Sequence, residues 1–166
     1  MNILYGKRLV TKQFLSPKET SVEPSVSFPA DTNKLYILVM YDPDAVVGNY
    51  IHWLVTNIPG SNINGGKNIF EYNGPAPPKN SGTHHYIFKI YEQLTNNTIN
   101  NNTINNNTIN NNIINRTISL KKLLSYLGLG KKDVYPIYET YFISKNMEGG
   151  KKTRKRKRQY SRKKRQ

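Results

Sequence analysis

Asp42 and Asp44 flank a proline, and His52, His84, His85 and Tyr86 follow within the next 42 residues. An Asp-Pro-Asp turn holds two carboxylates close together on a stiff backbone, and imidazoles beside carboxylates become oriented hydrogen-bond donors near neutral pH. Such a cluster can bind an anion, serve as acid and base, or hold a divalent metal. Each residue also has an ordinary reading. Asp-Pro-Asp often does nothing more than turn the chain, a single histidine at a strand start is commonly a surface or satisfied core residue, and Trp53 on an alternating strand suits core or rim. Whether the cluster forms depends on the elements that carry it.

Those elements read as β. Residues 34–41 (KLYILVMY) form a nearly continuous apolar run that predicts a buried central strand, stopped by Asp42-Pro43-Asp44. Residues 51–58 (IHWLVTNI) predict a second strand closed by Pro59-Gly60. The short connection makes the two antiparallel neighbours, which brings Asp42, Asp44 and His52 to one end of a sheet. A rigid loop at 74–82 (GPAPPKNSG) cannot pair as a strand. It precedes a third strand over 85–91, where alternation puts His84 and Tyr86 on one face and His85 on the other. Ser119 caps a predicted helix with Leu120, Leu123, Leu124 and Leu127 on one face and Gly128 as its stop. A last strand spans 137–143. The expectation is a mainly β, single-domain fold with few helices.

Charge divides the 166-residue chain differently. The formal net charge is +15, from 25 Lys and Arg against 10 Asp and Glu, but residues 151–166 hold eleven of the basic residues and no acid. The rest carries 14 basic against 10 acidic residues, so the charge belongs to a tail. We read residues 1–146 as the folded domain and 147–166 as a disordered basic tail. The tract at 96–115 repeats with a period of five, setting Ile99, Ile104, Ile109 and Ile114 among twelve asparagines. A few such units bury no stacked core, so a low-complexity insertion is expected. Cysteine is absent, which excludes thiolate zinc sites and cysteine nucleophiles. No apolar run suits a signal peptide or a membrane span, and a monomeric cytoplasmic protein is expected, with the nucleus open to it through the tail.

The motifs together resemble the phosphatidylethanolamine-binding protein family, which includes the Raf kinase inhibitor proteins and plant flowering-time regulators. LYILVMYDPDAVVG looks like the family's strand and Asp-Pro-Asp-Ala-Pro motif, IHWLVTNIPG is similar to its histidine-bearing second strand, and GPAPPKNSGTHHYIFKIYEQ resembles its Gly-Pro-x-Pro-Pro signature. The resemblance runs from about Tyr5 to Lys145. It implies a β-sandwich-like fold with a small anion pocket for phosphate or a phospholipid headgroup. Carried over, the pocket would comprise Asp42, Asp44, His52, Gly74, Pro78, His84 and Tyr86, with Tyr50, Trp53 and Phe88 as aromatic rim. The chain departs from the family at Val46 (proline there), Ala76 and Asn80 (glycines) and His85 (arginine). No counterpart of the pocket-closing C-terminal helix of animal members is expected, since Lys145 leads almost directly into Gly149-Gly150.

The resemblance implies binding, not turnover, with no cofactor and no metal, and regulation through protein partners. No motif places a serine, cysteine or lysine as a nucleophile. The alternative is an adaptor driven by Lys151–Arg165, which could hold nucleic acid by counterion release or an anionic membrane. Asn/Ile-rich repeats suit an AT-rich genome, and the compact domain with a basic tail resembles proteins of giant DNA viruses.

Overall fold

The computed structural model describes residues 1–93, 115–130 and 134–146. The Asn-rich tract up to residue 114 and the basic tail lie outside the described residues. Among these described residues, eight strands form two sheets. A three-stranded sheet joins β1 (Asn2–Tyr5) to β2 (Arg8–Leu9) on one side and β3 (Ser25–Ser27) on the other, both antiparallel. The larger sheet has the order β6-β5-β4-β7-β8, built from β4 (Leu35–Ala45), β5 (Gly48–Pro59), β6 (Lys67–Phe70), β7 (Thr83–Gln93) and β8 (Tyr138–Lys145). Every pairing in it is antiparallel. The fold is mainly β and forms one domain, as expected.

The apolar run of β4 has a direct cause. Tyr36, Leu38 and Met40 enter one core, shared with Ile3, Leu15, Trp53, Phe88 and Phe142. Ile37, Val39 and Tyr41 point to the opposite face and enter a second core with Ile51, Leu54 and Tyr91. A strand buried on both faces cannot alternate apolar with polar. The second core is roofed by α1 (Leu120–Tyr126) and its flanks, through Ile118, Leu123, Leu127 and Leu129. Ser119 caps α1 by accepting from the Lys122 amide, and Gly128 follows with φ +74°. Sheet, sheet and helix thus stack as three layers.

The strand boundaries differ from expectation, most of all at the end of β4. β4 does not stop at Asp42-Pro43-Asp44: Asp42 pairs with Tyr50 and Ala45 with Gly48, so the hairpin turns at Val46-Val47. The strand survives the proline because its register shifts there, β4 carrying one residue more than β5 between those two pairs. The small sheet and β6 were not foreseen, their strands being two to four residues long.

Candidate functional site

At one end of the core between the sheets lies a cavity of about 330 Å³. His84 and Tyr86 reach it from alternate positions of β7, in line with the core residues Phe88 and Ile90. Asp42 enters from the end of β4 and His52 from β5. The last is re-aimed by a bulge: Met40 pairs with Trp53 but Tyr41 pairs with Ile51, which leaves His52 as the extra residue. Its ring meets Tyr50 edge-on at 4.9 Å and Tyr86 at 5.1 Å. Gly74, Ala76 and Pro78 supply the facing loop, and Ala45, Val46 and Val47 the mouth.

A chain of hydrogen bonds fixes one wall. The carboxylate of Asp42, 3% exposed, accepts at 2.7 Å from Nδ1 of His84, which is 1% exposed. Its other oxygen accepts from the Asp44 amide at 2.8 Å, locking the turn. Nε2 of His84 lies 2.8 Å from the Ser81 hydroxyl, which also donates at 2.8 Å to the Pro78 carbonyl. Both ring nitrogens of His84 are thereby engaged, one by Asp42 and the other by Ser81. The Asp42–His84 pair therefore grips the proline-rich loop at Ser81.

The opposite wall works through His52. Its Nδ1 donates to the Asn73 carbonyl at 2.6 Å, which fixes the ring and leaves Nε2 without a partner among the described residues. Burial holds the His52 pKa below the usual imidazole range; Asn73 and Asp42 oppose this, and Arg116 and His84 reinforce it. Tyr86 is pushed far up, by burial and then by the carboxylates of Asp42 and Asp44, so its phenol keeps its proton. The cavity thus meets a fixed O–H donor and an imidazole whose free nitrogen accepts when neutral and donates when charged.

Asp44 does something else. Its Oδ2 accepts from the ring and the amide of His85, 2.7 and 2.8 Å away, outside the cavity lining. Partial burial opposes ionisation of Asp44, but these bonds from His85 lower its pKa overall. His85 faces away from the cavity and stands over Tyr141. Tyr50 lines the cavity, its hydroxyl accepting from the Asn73 amide group at 3.0 Å. Trp53 and Phe88 do not: both are core residues, Trp53 donating to Asn68.

Three participants escaped the motif reading. Asn73 and Ser81 orient the histidines, one through a main-chain carbonyl. Arg116, just beyond the Asn-rich tract, donates to the carbonyls of Ile51, His52 and Glu71 and packs over Phe70 and Tyr50. No spacing in the sequence ties a residue at 116 to one at 52; only the tertiary fold does.

Solved structures share this layered fold. A carboxypeptidase Y inhibitor, determined in complex with its cognate proteinase, aligns over 86% of this chain and 81% of its own, with a TM-score of 0.64 and 18% identity. The phosphatidylethanolamine-binding protein of Plasmodium vivax aligns over 86% and 83%, with a TM-score of 0.62 and 19% identity. The chain belongs to the phosphatidylethanolamine-binding protein family, whose profile matches residues 5–126. Among its relatives, MOTHER of FT and TFL1 homolog 2 of Oryza sativa subsp. japonica is 36% identical over 101 residues, which are 56% of this chain and 57% of the relative. A 26 kDa secreted antigen of Toxocara canis is 36% identical over 85 residues, 48% of this chain and 32% of that protein. The chain therefore spans about a third to just over half of these two relatives.

Proposed function

We propose that the cavity binds a phosphate group, free or carried by a small molecule or a phospholipid headgroup, and that the chain regulates protein partners by this binding and does no chemistry on the ligand. One observation carries this reading: the Tyr86 phenol and the free Nε2 of His52 converge on a cavity whose mouth is apolar, beside a His84 held by Asp42 and Ser81. A phosphate oxygen accepts from the Tyr86 phenol and from Nε2–H of a charged His52, while His84, held by Asp42 and Ser81, fixes the wall beside them. Family membership supports a lipid- or anion-binding regulator in general terms. A fold neighbour caught with its cognate proteinase supports a protein-facing role. The order Asp42–His84–Ser81 resembles a hydrolytic relay, but the Ser81 hydroxyl donates to Pro78, which suits a loop tether better than a nucleophile.

Calorimetric titration with inorganic phosphate and with phosphoethanolamine tests the reading. Affinity should rise as pH falls from about 8 to 6, because a bound dianion favours charged imidazole. His84→Ala should lose the heat of binding while the fold persists. An affinity flat across that window, or unaltered in His84→Ala, overturns the proposal.

A further inference from the structure

The cavity is larger than a phosphate alone requires. At about 330 Å³ it reaches the range of small-molecule pockets, about 300–1,000 Å³, so a phosphate seated on Tyr86 and His52 leaves room for an ester arm. Ala45, Val46 and Val47 on the hairpin and Ala76 and Pro78 on the facing loop frame the way out, and they present carbon to that arm. The carboxylates that could receive a positive charge on it are already committed. One Asp42 oxygen accepts from His84 and the other from the Asp44 amide, and the side chain is buried. Asp44 stands outside the lining and accepts from the ring and the amide of His85. Tyr50 also lines the cavity, but its ring holds the Arg116 guanidinium 6.0 Å from its centroid, so a second cation at that ring meets like charge.

We propose that the cavity selects a phosphate monoester with an uncharged aliphatic arm over one whose arm ends in an ammonium, which makes phosphoethanolamine one of its poorer esters. The inference rests on the phosphate reading and names the class of ester that the site takes. An aliphatic arm sheds water against Ala45, Ala76 and Pro78, and each methylene buried there is worth roughly four-fold in affinity. An ammonium in the same place gives up its hydration and gains no carboxylate in return. It stays in water instead and draws its arm away from the entrance. Selection is thus made by the entrance, while Tyr86 and His52 hold the phosphate that both esters share.

n-Propyl phosphate and phosphoethanolamine share one heavy-atom skeleton and differ in a terminal methyl against a terminal ammonium. Calorimetric titration of the full chain at about pH 7, where the amine is charged, compares them, with inorganic phosphate as the reference. Propyl phosphate should bind about five-fold more tightly or better. Equal affinities, or tighter phosphoethanolamine, overturn the selectivity and, with inorganic phosphate still bound, leave the anion site standing. No heat from any of the three overturns the anion reading and this inference with it. Ala76→Glu puts a carboxylate on an exposed position of the entrance, so it should narrow the ratio about three-fold or more with the melting temperature unchanged. A ratio unmoved by that carboxylate would reject the entrance as the selector. Neutral vesicles carrying phosphatidic acid or phosphatidylethanolamine separate the sources of the ester. Displacement of bound propyl phosphate by phosphatidic acid assigns the ester to a lipid, and its retention assigns it to a free small molecule, the selectivity holding in both. Displacement by phosphatidylethanolamine alone overturns the proposal.

Discussion

His52 reaches the cavity only because β5 holds one residue more than β4 at that point, and the position leaves its ring buried with a single main-chain partner. Its lowered pKa has a consequence for stability. An unfolded chain takes up the histidine proton near pH 6.5 and the folded one at lower pH, so between those values the unfolded state binds more protons. The contribution is complete above about pH 6.5 and is lost as pH falls toward the folded-state value. His52→Asn, which offers an amide N–H in place of Nδ1 and does not titrate, should flatten chemical-denaturation stability below about pH 6.5. A slope unchanged from the wild type would assign the acid sensitivity elsewhere. Ser81→Ala supplies a second check: any ester hydrolysis by the purified chain should be unchanged, whereas phosphate affinity should fall several-fold as the loop loses its grip on His84. Residue types were legible at this scale, because Asp, His and Tyr at strand ends announce themselves. Asn73, Ser81 and Arg116 were not, since their roles lie in contacts with carbonyls and rings far away in sequence.

At the scale of elements, the sequence revealed the longer strands and hid the shortest. β4, β5 and β7 stand out as long apolar runs, while β1 to β3 and β6 are too short to establish a period. Bulges were invisible as well. A reading that stopped β4 at its proline placed the two aspartates in a loop, although they straddle a register shift inside a paired strand. The facing loop is held by close packing. A Cβ on Gly74 would stand 2.9 Å from the Thr20 carbonyl oxygen and 3.3 Å from the Ser21 Cα, so the backbone of one segment has to move. Gly74→Ala should therefore cost about 1–3 kcal/mol in denaturant unfolding and weaken phosphate binding. Asn80, where the family motif has glycine, takes φ +66°, which asparagine tolerates and a β-branched residue does not. Asn80→Val should lower stability by about 1–2 kcal/mol; an unchanged melting curve would mean that the loop adapts.

Among the described residues the five-stranded sheet has a core on each side, and the segment 115–130 closes the second core. What holds that segment beside the site is Arg116, through carbonyls of β5 and of Glu71, together with its own carbonyl, which accepts from the Ile51 amide at 2.6 Å. Arg116→Met keeps much of the packing over Phe70 and discards the bonds. It should destabilise the chain by about 2–4 kcal/mol and remove the neighbouring charge that helps hold the His52 pKa low. NMR titration of the His52 ring in this variant should move its midpoint upward.

The same clamp has a mechanical meaning. Strand β7 ends at Gln93, and at Arg116 side chain and main chain both fasten to the strand that carries His52. Tension applied anywhere between those points would load the arginine's bonds in parallel before it reached the β5 ladder. Arg116 acts as the strain relief of a cable: shortening the segment ahead of it should leave phosphate affinity unchanged, which calorimetric titration of the shortened chain checks.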